Sequence, residues 1–313
     1  MADLPLFSYT KPASEPEGSS RRGVSGSSGL SAAIAVWGEV LEAEGRSIHT
    51  VKAFTTDLRL VARFIGGGTP LADVGTHDLK NFLDWMLNKR DVPCSPKTYA
   101  RRVTSIKSFF RWLTETGILD HNPASEVPQQ SVVSPLPSVL TADEITAVLE
   151  TADNLRRGEK PDARPFTLVS LLLNTAIKKG ECLAIHLNHI DLHSPDGPIL
   201  FIRYGDVRKR YKERKLRLPD AWIPAYREYL DQYQPKNNLF PWSPRRLEYL
   251  LEDIGESAGL EKHLSFDMCR WSAALQHYRN GMDKDRLRQM LGISKIQWRE
   301  VGKKLARLTD ETS

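Results

Sequence analysis

At 313 residues, with 40% hydrophobic and 27% charged side chains, the chain has the composition of a globular protein and is long enough for two cores. A formal charge of +5 is too small to argue for a nucleic-acid partner by itself, so that argument rests on local clustering. Three dispersed cysteines, Cys94, Cys182 and Cys269, fit reduced thiols better than a disulfide framework or zinc site; no apolar run reaches the ~20 residues of a membrane span, and no leader pattern opens the chain. The expectation is a cytoplasmic protein without metal, cofactor or membrane contact.

Residues 1–29 are rich in Pro, Ser and Gly, carry Arg21-Arg22, and read as a flexible arm. From Gly29 to about Val127 the pattern is helical, defining a first domain over 30–127. Ser47 precedes Val51, Phe54, Leu58, Val61 and Phe64-Ile65 at helical spacing, and Gly66-Gly67-Gly68 ends that run. Thr76 is expected to cap a helix carrying Leu79, Phe82, Leu83 and Met86. Ser95-Pro96 opens a third, in which Tyr99, Val103, Ile106, Phe110 and Leu113 form one apolar seam. Lys97, Arg101, Thr104, Ser108 and Arg111 form a second stripe, and no acidic residue occurs between Ser95 and Trp112. A one-sign stripe backed by hydroxyls suits a phosphate backbone, and equally a solvated face.

Residues 128–140 hold three prolines without helical period, an inter-domain linker. Thr141-Ala142-Asp143-Glu144 is a capping box that opens the second domain, expected over 141–300 with a tail at 301–313. Ile199, Phe201 and Ile202, then Leu216 and Leu218, bracket a polar stretch and predict a β-hairpin with a long basic tip. Residues 203–217 carry eight basic and two acidic side chains, a density that favours DNA contact over plain solvation. Helical pattern resumes from Ala221 to Leu308, with turns expected at Pro235–Asn238 and Gly255–Gly259. His186, His189 and His193 invite a metal reading, but they flank apolar positions and read as turn or surface histidines. The fold class is therefore mainly α with a small β-hairpin or sheet.

Thr175-Ala176-Ile177-Lys178-Lys179-Gly180-Glu181-Cys182-Leu183, Lys209-Arg210-Tyr211-Lys212-Glu213-Arg214, Ser265-Phe266-Asp267-Met268-Cys269-Arg270-Trp271 and Leu291-Gly292-Ile293 occur in the order of the motifs of the tyrosine recombinases, the phage integrases and their relatives. The chain resembles their catalytic domain here. Phe109-Phe110-Arg111-Trp112-Leu113 and Asn122-Pro123 resemble their core-binding, SAM-like domain. The resemblance spans about residues 30–300. It implies a helical core-binding domain, an α+β catalytic-type domain, and two domains closing on a duplex.

In that family a tyrosine attacks the DNA phosphodiester, two arginines hold the transition-state charge, a hairpin lysine protonates the leaving oxygen, and histidines assist. Transferred residue by residue, the match is uneven. The first arginine falls on Lys178, which keeps charge but loses the two-pronged fork; Lys179 and the supporting acid Glu181 adjoin it. The hairpin lysine falls on Lys209, among Arg208, Arg210, Lys212 and Arg214. Asp267 stands in place of a histidine, Arg270 is retained, and Ile293 replaces a second histidine. The nucleophile falls near Gly302, and no tyrosine follows Tyr278, which itself reads as core. Ser294 is a conceivable substitute hydroxyl with nothing to activate it. Losing one transition-state donor costs ~10²–10³ in rate, whereas losing the nucleophile removes the pathway.

The expectation is a nucleoid-associated, duplex-DNA-binding protein on a recombinase scaffold, defective in strand cleavage, acting as an architectural, regulatory or accessory subunit of a recombination or mobile-element system, with itself or an active partner recombinase beside it. Two alternatives stand beside it: an active recombinase with a rearranged or trans-supplied nucleophile, and a protein-interaction module with an incidental basic surface.

Overall fold

The computed structural model describes residues 23–129, 135–195 and 197–311, and the chain divides into two compact units, 1–134 and 135–313. Most of the expected arm, Arg21-Arg22 included, and residues 130–134 of the linker lie outside the described residues.

The first unit is helical: α1 (Leu30–Ala43), α2 (Ile48–Ile65), α3 (Thr76–Asp84) and α4 (Pro96–Glu115). Ser47 and Ser95 cap α2 and α4 by accepting from Thr50 N (3.2 Å) and Thr98 N (3.3 Å), which satisfies N–H groups that a helix start leaves unpaired. The cap of α3 is Gly75 and not Thr76. Asp78 reaches back to Gly75 N at 2.9 Å, while Thr76 Oγ1 donates to Pro123 O at 2.8 Å. The last residues of the expected arm are also tied down, through Leu71 N to Ser28 O (3.0 Å) and Ala72 N to Gly26 O (2.9 Å).

The α4 seam Tyr99, Val103, Ile106, Phe110 and Leu113 is buried. It packs into one core with Trp37, Leu58 and Phe82, and each large apolar side chain so buried contributes roughly 1.5–3 kcal/mol. The stripe beside it is exposed or half-buried. Arg101, however, is not a free cation: its Nη1 lies 2.9 Å from Asp57 Oδ2, and Arg102 Nε lies 3.3 Å from Oδ1 of the same carboxylate. Ser105 Oγ donates to Asp57 at 3.0 Å. Burial pushes the Asp57 carboxyl up, and the two arginines and Ser105 oppose that rise.

The second unit carries α5 (Ala142–Arg157), α6 (Arg164–Thr175), α7 (Lys179–Leu183), β1 (Ile190–Asp191), β2 (Ile199–Ile202) and β3 (Arg214–Arg217). It continues with α8 (Trp222–Tyr233), α9 (Pro244–Ser257), α10 (Phe266–Arg279), α11 (Lys284–Met290) and α12 (Lys295–Glu311). The strands form one antiparallel sheet in the order β1-β2-β3, with Leu200 opposite Leu216 and Ile202 opposite Arg214. The predicted hairpin is thus two of three strands, and the 3₁₀ turn Val207–Lys212 forms its tip.

Thr141 and Glu144 make the predicted capping box. Gly255 does not begin a turn but lies within α9, where an added Cβ would sit 2.8 Å from Leu264 Cβ. Residues 135–140 of the proline-rich segment join this unit, with Leu140 buried and its N–H donating to Ser272 Oγ at 2.9 Å. α12 runs past residue 300, where a tail was expected, and buries Leu305 and Leu308 against Ala273, Ala274 and Leu287. None of the described helices is long and apolar enough to cross a membrane.

Replacing Asp57 with Ala leaves the part-buried Arg102 guanidinium without its carboxylate. The variant is expected to lose about 3–5 kcal/mol of stability, measured by denaturant melts. Limited proteolysis should then attack the first unit while the second stays protected.

Candidate functional site

The site grows from a break between two helices. α6 ends at Ala176, whose φ of 50° turns the chain into the left-handed region, costing an alanine about 1–2 kcal/mol. Its carbonyl is thereby freed from the helix ladder, and Arg270 Nη1 of α10 donates to it. Two residues later Lys178 caps α7, its N–H donating to Glu181 Oε2 at 2.9 Å. The β3 strand brings Arg214 to the same carboxylate, with Nη1 to Oε1 at 3.0 Å and Nη2 to Oε2 at 2.9 Å. The Tyr204 hydroxyl also donates to Glu181.

Opposite lies the turn that follows α11. Arg214 Nε donates to Met290 O (2.7 Å), Arg270 Nη2 to Leu291 O (2.7 Å) and Lys178 Nζ to Gly292 O (3.2 Å). Three cations from three elements therefore converge on three consecutive carbonyls. Gly292 is required here twice over: its φ is 58°, and a Cβ would lie 2.6 Å from Arg214 Nη1.

Electrostatics follow from burial and charge. Burial alone would raise the Glu181 carboxyl, but Arg214, the Lys178 N–H and the Tyr204 hydroxyl hold it down to about 2. Burial, aided by Arg270, Lys212 and Arg214 and opposed by Glu181, brings Lys178 down to about 8. Burial likewise lowers Arg270 to about 10. Tyr204 is pushed up to about 12 by burial and by Glu181, which makes its hydroxyl a poor nucleophile.

Lys178, Arg214 and Arg270 are brought together; the remaining residues singled out in the sequence are dispersed around them. Of the hairpin cations, Lys212, three residues beyond Lys209, acts electrostatically on Lys178 together with Arg214. Lys209 lies on the exposed tip, 3.8 Å from Asp206, beside Arg208, which also pairs with Asp206, and Arg210. Lys179 forms an exposed ion pair with Glu248 at 2.6 Å. Arg214, grouped in the sequence with outward-facing cations, is an internal positioning residue with a side chain only 8% exposed. Asp267 is exposed in the first turn of α10.

Ile293 packs half-buried beside Leu291. Ser294 is the N-cap of α12: its Oγ accepts from Gln297 N at 3.2 Å, and Gln297 Oε1 accepts from Ser294 N at 3.0 Å, so its hydroxyl serves the helix. Gly302 lies on α12 under the ring of Trp298, whose nearest atom is 3.4 Å from where a Cβ would stand. Tyr278 packs into the core formed by α10, α11 and α12.

A cleft of about 890 Å³ opens between β3 and α11, bordered by Tyr211, Lys212, Lys215, Arg217, Arg286 and Arg288. His186 N donates to His189 Nδ1 at 3.3 Å, while His193 is exposed. No group of three or more His, Cys, Asp or Glu able to hold a metal occurs among the described residues.

The order of these elements and the cationic pair on α7 and α10 agree with what the family models find. Residues 138–299 match the phage integrase family, and residues 34–117 match the phage integrase N-terminal SAM-like domain. The chain belongs to the phage integrase family. Among its relatives is tyrosine recombinase XerD of Listeria innocua, 25% identical over 272 residues that cover 82% of this chain and 88% of the relative. Tyrosine recombinase XerC of Lacticaseibacillus casei is 26% identical over 281 residues, covering 86% and 92%. XerH recombinase in a post-cleavage complex with its difH substrate shares the fold at a TM-score of 0.69 and 18% identity, covering 90% of this chain and 83% of that one. A lambda integrase tetramer bound to a Holliday junction does so at 0.69 and 14%, covering 89% and 78%.

Glu181 is nearly fully buried and its folded value of about 2 lies below its ordinary 4.5, so its contribution is complete above pH 4.5 and fades as pH falls toward 2. That contribution is on the order of 3 kcal/mol. Glu181→Gln is expected to flatten the acid limb of a stability-versus-pH curve and to lower stability at pH 7 by about 3–5 kcal/mol, since Arg214 is left unpaired.

Proposed function

We propose that this protein binds duplex DNA through its recombinase-type surface and does not cleave it in the manner of its family. The observation that carries the reading is Gly302: at the position where the family's tyrosine is expected, α12 offers no side chain, and the nearby hydroxyl of Ser294 is engaged as a helix cap. Lys178 and Arg270 still place positive charge on the Leu291–Gly292 turn, whose Gly292 borders the cleft, and binding a phosphate in its ground state needs charge and hydrogen-bond donors but no leaving group.

The DNA-facing set comprises, in the second unit, Lys178 and Arg270 with Lys212, Arg208, Lys209 and Arg210 on the hairpin, and, in the first unit, Lys97 and Arg111 with Thr104 and Ser108 on α4. Arg214 supports Lys178 and Arg270 through Glu181, and Arg101 is held by Asp57 within the first unit. Lysine at 178 retains attraction but not the planar fork suited to a charged transition state, and Asp267 adds a carboxylate that repels the phosphate. The lysine favours holding DNA over reacting with it, and the carboxylate weakens both. The role that follows is architectural, regulatory or accessory within a recombination system, with double-stranded DNA as partner and a second copy or an active recombinase beside it.

Two measurements test the reading. With nicked suicide substrates the protein is expected to shift duplexes in a gel, with log affinity falling linearly as log salt rises, and to give no covalent adduct on denaturing gels. Adducts would establish an active enzyme with a nucleophile from elsewhere, and binding flat in salt would favour a protein-interaction module. Lys178 supplies the second test. Its value of about 8 lies below the ordinary 10.5, so its charge is lost as pH rises through 8, and a bound phosphate favours the charged form. DNA affinity is expected to fall between pH 7.5 and 9.5, by up to about tenfold per pH unit, and Lys178→Arg should flatten that fall.

A further inference from the structure

The tip of the β2–β3 hairpin leaves two apolar side chains in water. Val207 is 67% exposed and Tyr211 71% exposed, on a turn that is otherwise well held. Asp206 Oδ1 accepts from Arg208 N (3.1 Å), Lys209 N donates to Asp206 O (2.8 Å), and Glu213 N donates to Arg210 O (2.9 Å). Across the hairpin, Tyr204 N donates to Glu213 Oε1 at 2.9 Å. A ring presented on so constrained a turn has already lost most of the freedom that binding would remove.

The surroundings select the partner. Arg208, Lys209, Arg210 and Lys212 flank the two apolar residues, and Lys212 Nζ lies 5.3 Å from the centre of the Tyr211 ring. An aromatic face within a ring of cations matches a ligand that has flat apolar faces behind a row of anions, which is the surface of a base stack behind its phosphates. The ring also borders the cleft beside β3, so one of its faces has open space.

We infer that Tyr211 is a base-stacking wedge: it enters a base step of bound DNA, with Val207 as apolar flank and the neighbouring cations on the phosphates. The inference rests on the DNA-binding reading above and adds a distortion of the duplex to it.

The test uses the full chain and a duplex of about 40 base pairs with 2-aminopurine at the adenines of several TA steps, which unstack readily. The wild-type protein should raise 2-aminopurine fluorescence on binding. Tyr211→Ala should bind about tenfold more weakly, give no rise, and keep the salt slope and melting midpoint of the wild type. Tyr211→Trp should retain affinity and signal, while a Lys209→Ala, Arg210→Ala double variant should lower the salt slope by about two. Unchanged affinity and fluorescence in Tyr211→Ala overturn the wedge while DNA binding stands. A change confined to self-association in sedimentation also overturns it and makes the tip a protein contact. Failure of the wild type to bind duplex at any salt removes the underlying DNA reading, which the other arms leave intact.

Discussion

The second unit depends on the three carbonyls of Met290, Leu291 and Gly292, which receive Arg214, Arg270 and Lys178 in turn. Each donor comes from a different element: a strand, a helix and a helix cap. The turn therefore ties the sheet, α7 and α10 to the end of α11 through polar contacts, beside the apolar packing of α10 on α11. Glu181 is the carboxylate buried among the three cations, and the exposed Asp267 adds a weaker attraction to Arg270, so positive charge remains in excess there. Partly buried charge of that kind is costly without a counter-ion, and the depressed value of Lys178 expresses the cost. On the proposed DNA-binding reading, a phosphate arriving at the site would supply that counter-ion.

Much of the fold is legible in the chain because its signals are local. Ser47, Ser95-Pro96 and Thr141 with Glu144 mark helix starts through contacts three residues long, and the α4 seam is a matter of period. The misread places are those where a distant group decides. Thr76 resembles a cap, but Asp78 does the capping from inside the helix and Thr76 turns to Pro123. Gly255 resembles a turn residue, yet it is small because Leu264 approaches it. β1 is two residues long and exists through pairing with β2, so no alternation could announce it.

Charges show the same divide at the candidate site. A basic residue in a sequence looks available, and its acidic partner can lie far along the chain. Asp57 engages Arg101 and Arg102 from α2, and Glu181 engages Arg214 from α7. Arg101 and Arg214, which read as part of a DNA-facing array, are thus held by buried carboxylates, whereas the exposed aromatic at Tyr211 is masked in the sequence by the charges around it. The family motifs singled out Lys178 and Arg270, which the fold brings together at the Leu291–Gly292 turn. They did not reveal that Lys212 and Arg214 of the hairpin act on Lys178.

The surroundings of Gly302 have a further consequence. Trp298, one helical turn earlier, rests on the glycine, and Leu305 and Leu308 anchor the helix just beyond it. A phenol placed at that position would lie against an indole, on a segment anchored from behind and capped in front by Ser294. The first carbon of such a side chain meets the indole at 3.4 Å, an ordinary van der Waals distance, so a single replacement of Gly302 by Tyr meets no steric bar there and sets a hydroxyl-bearing ring on an ordered helix.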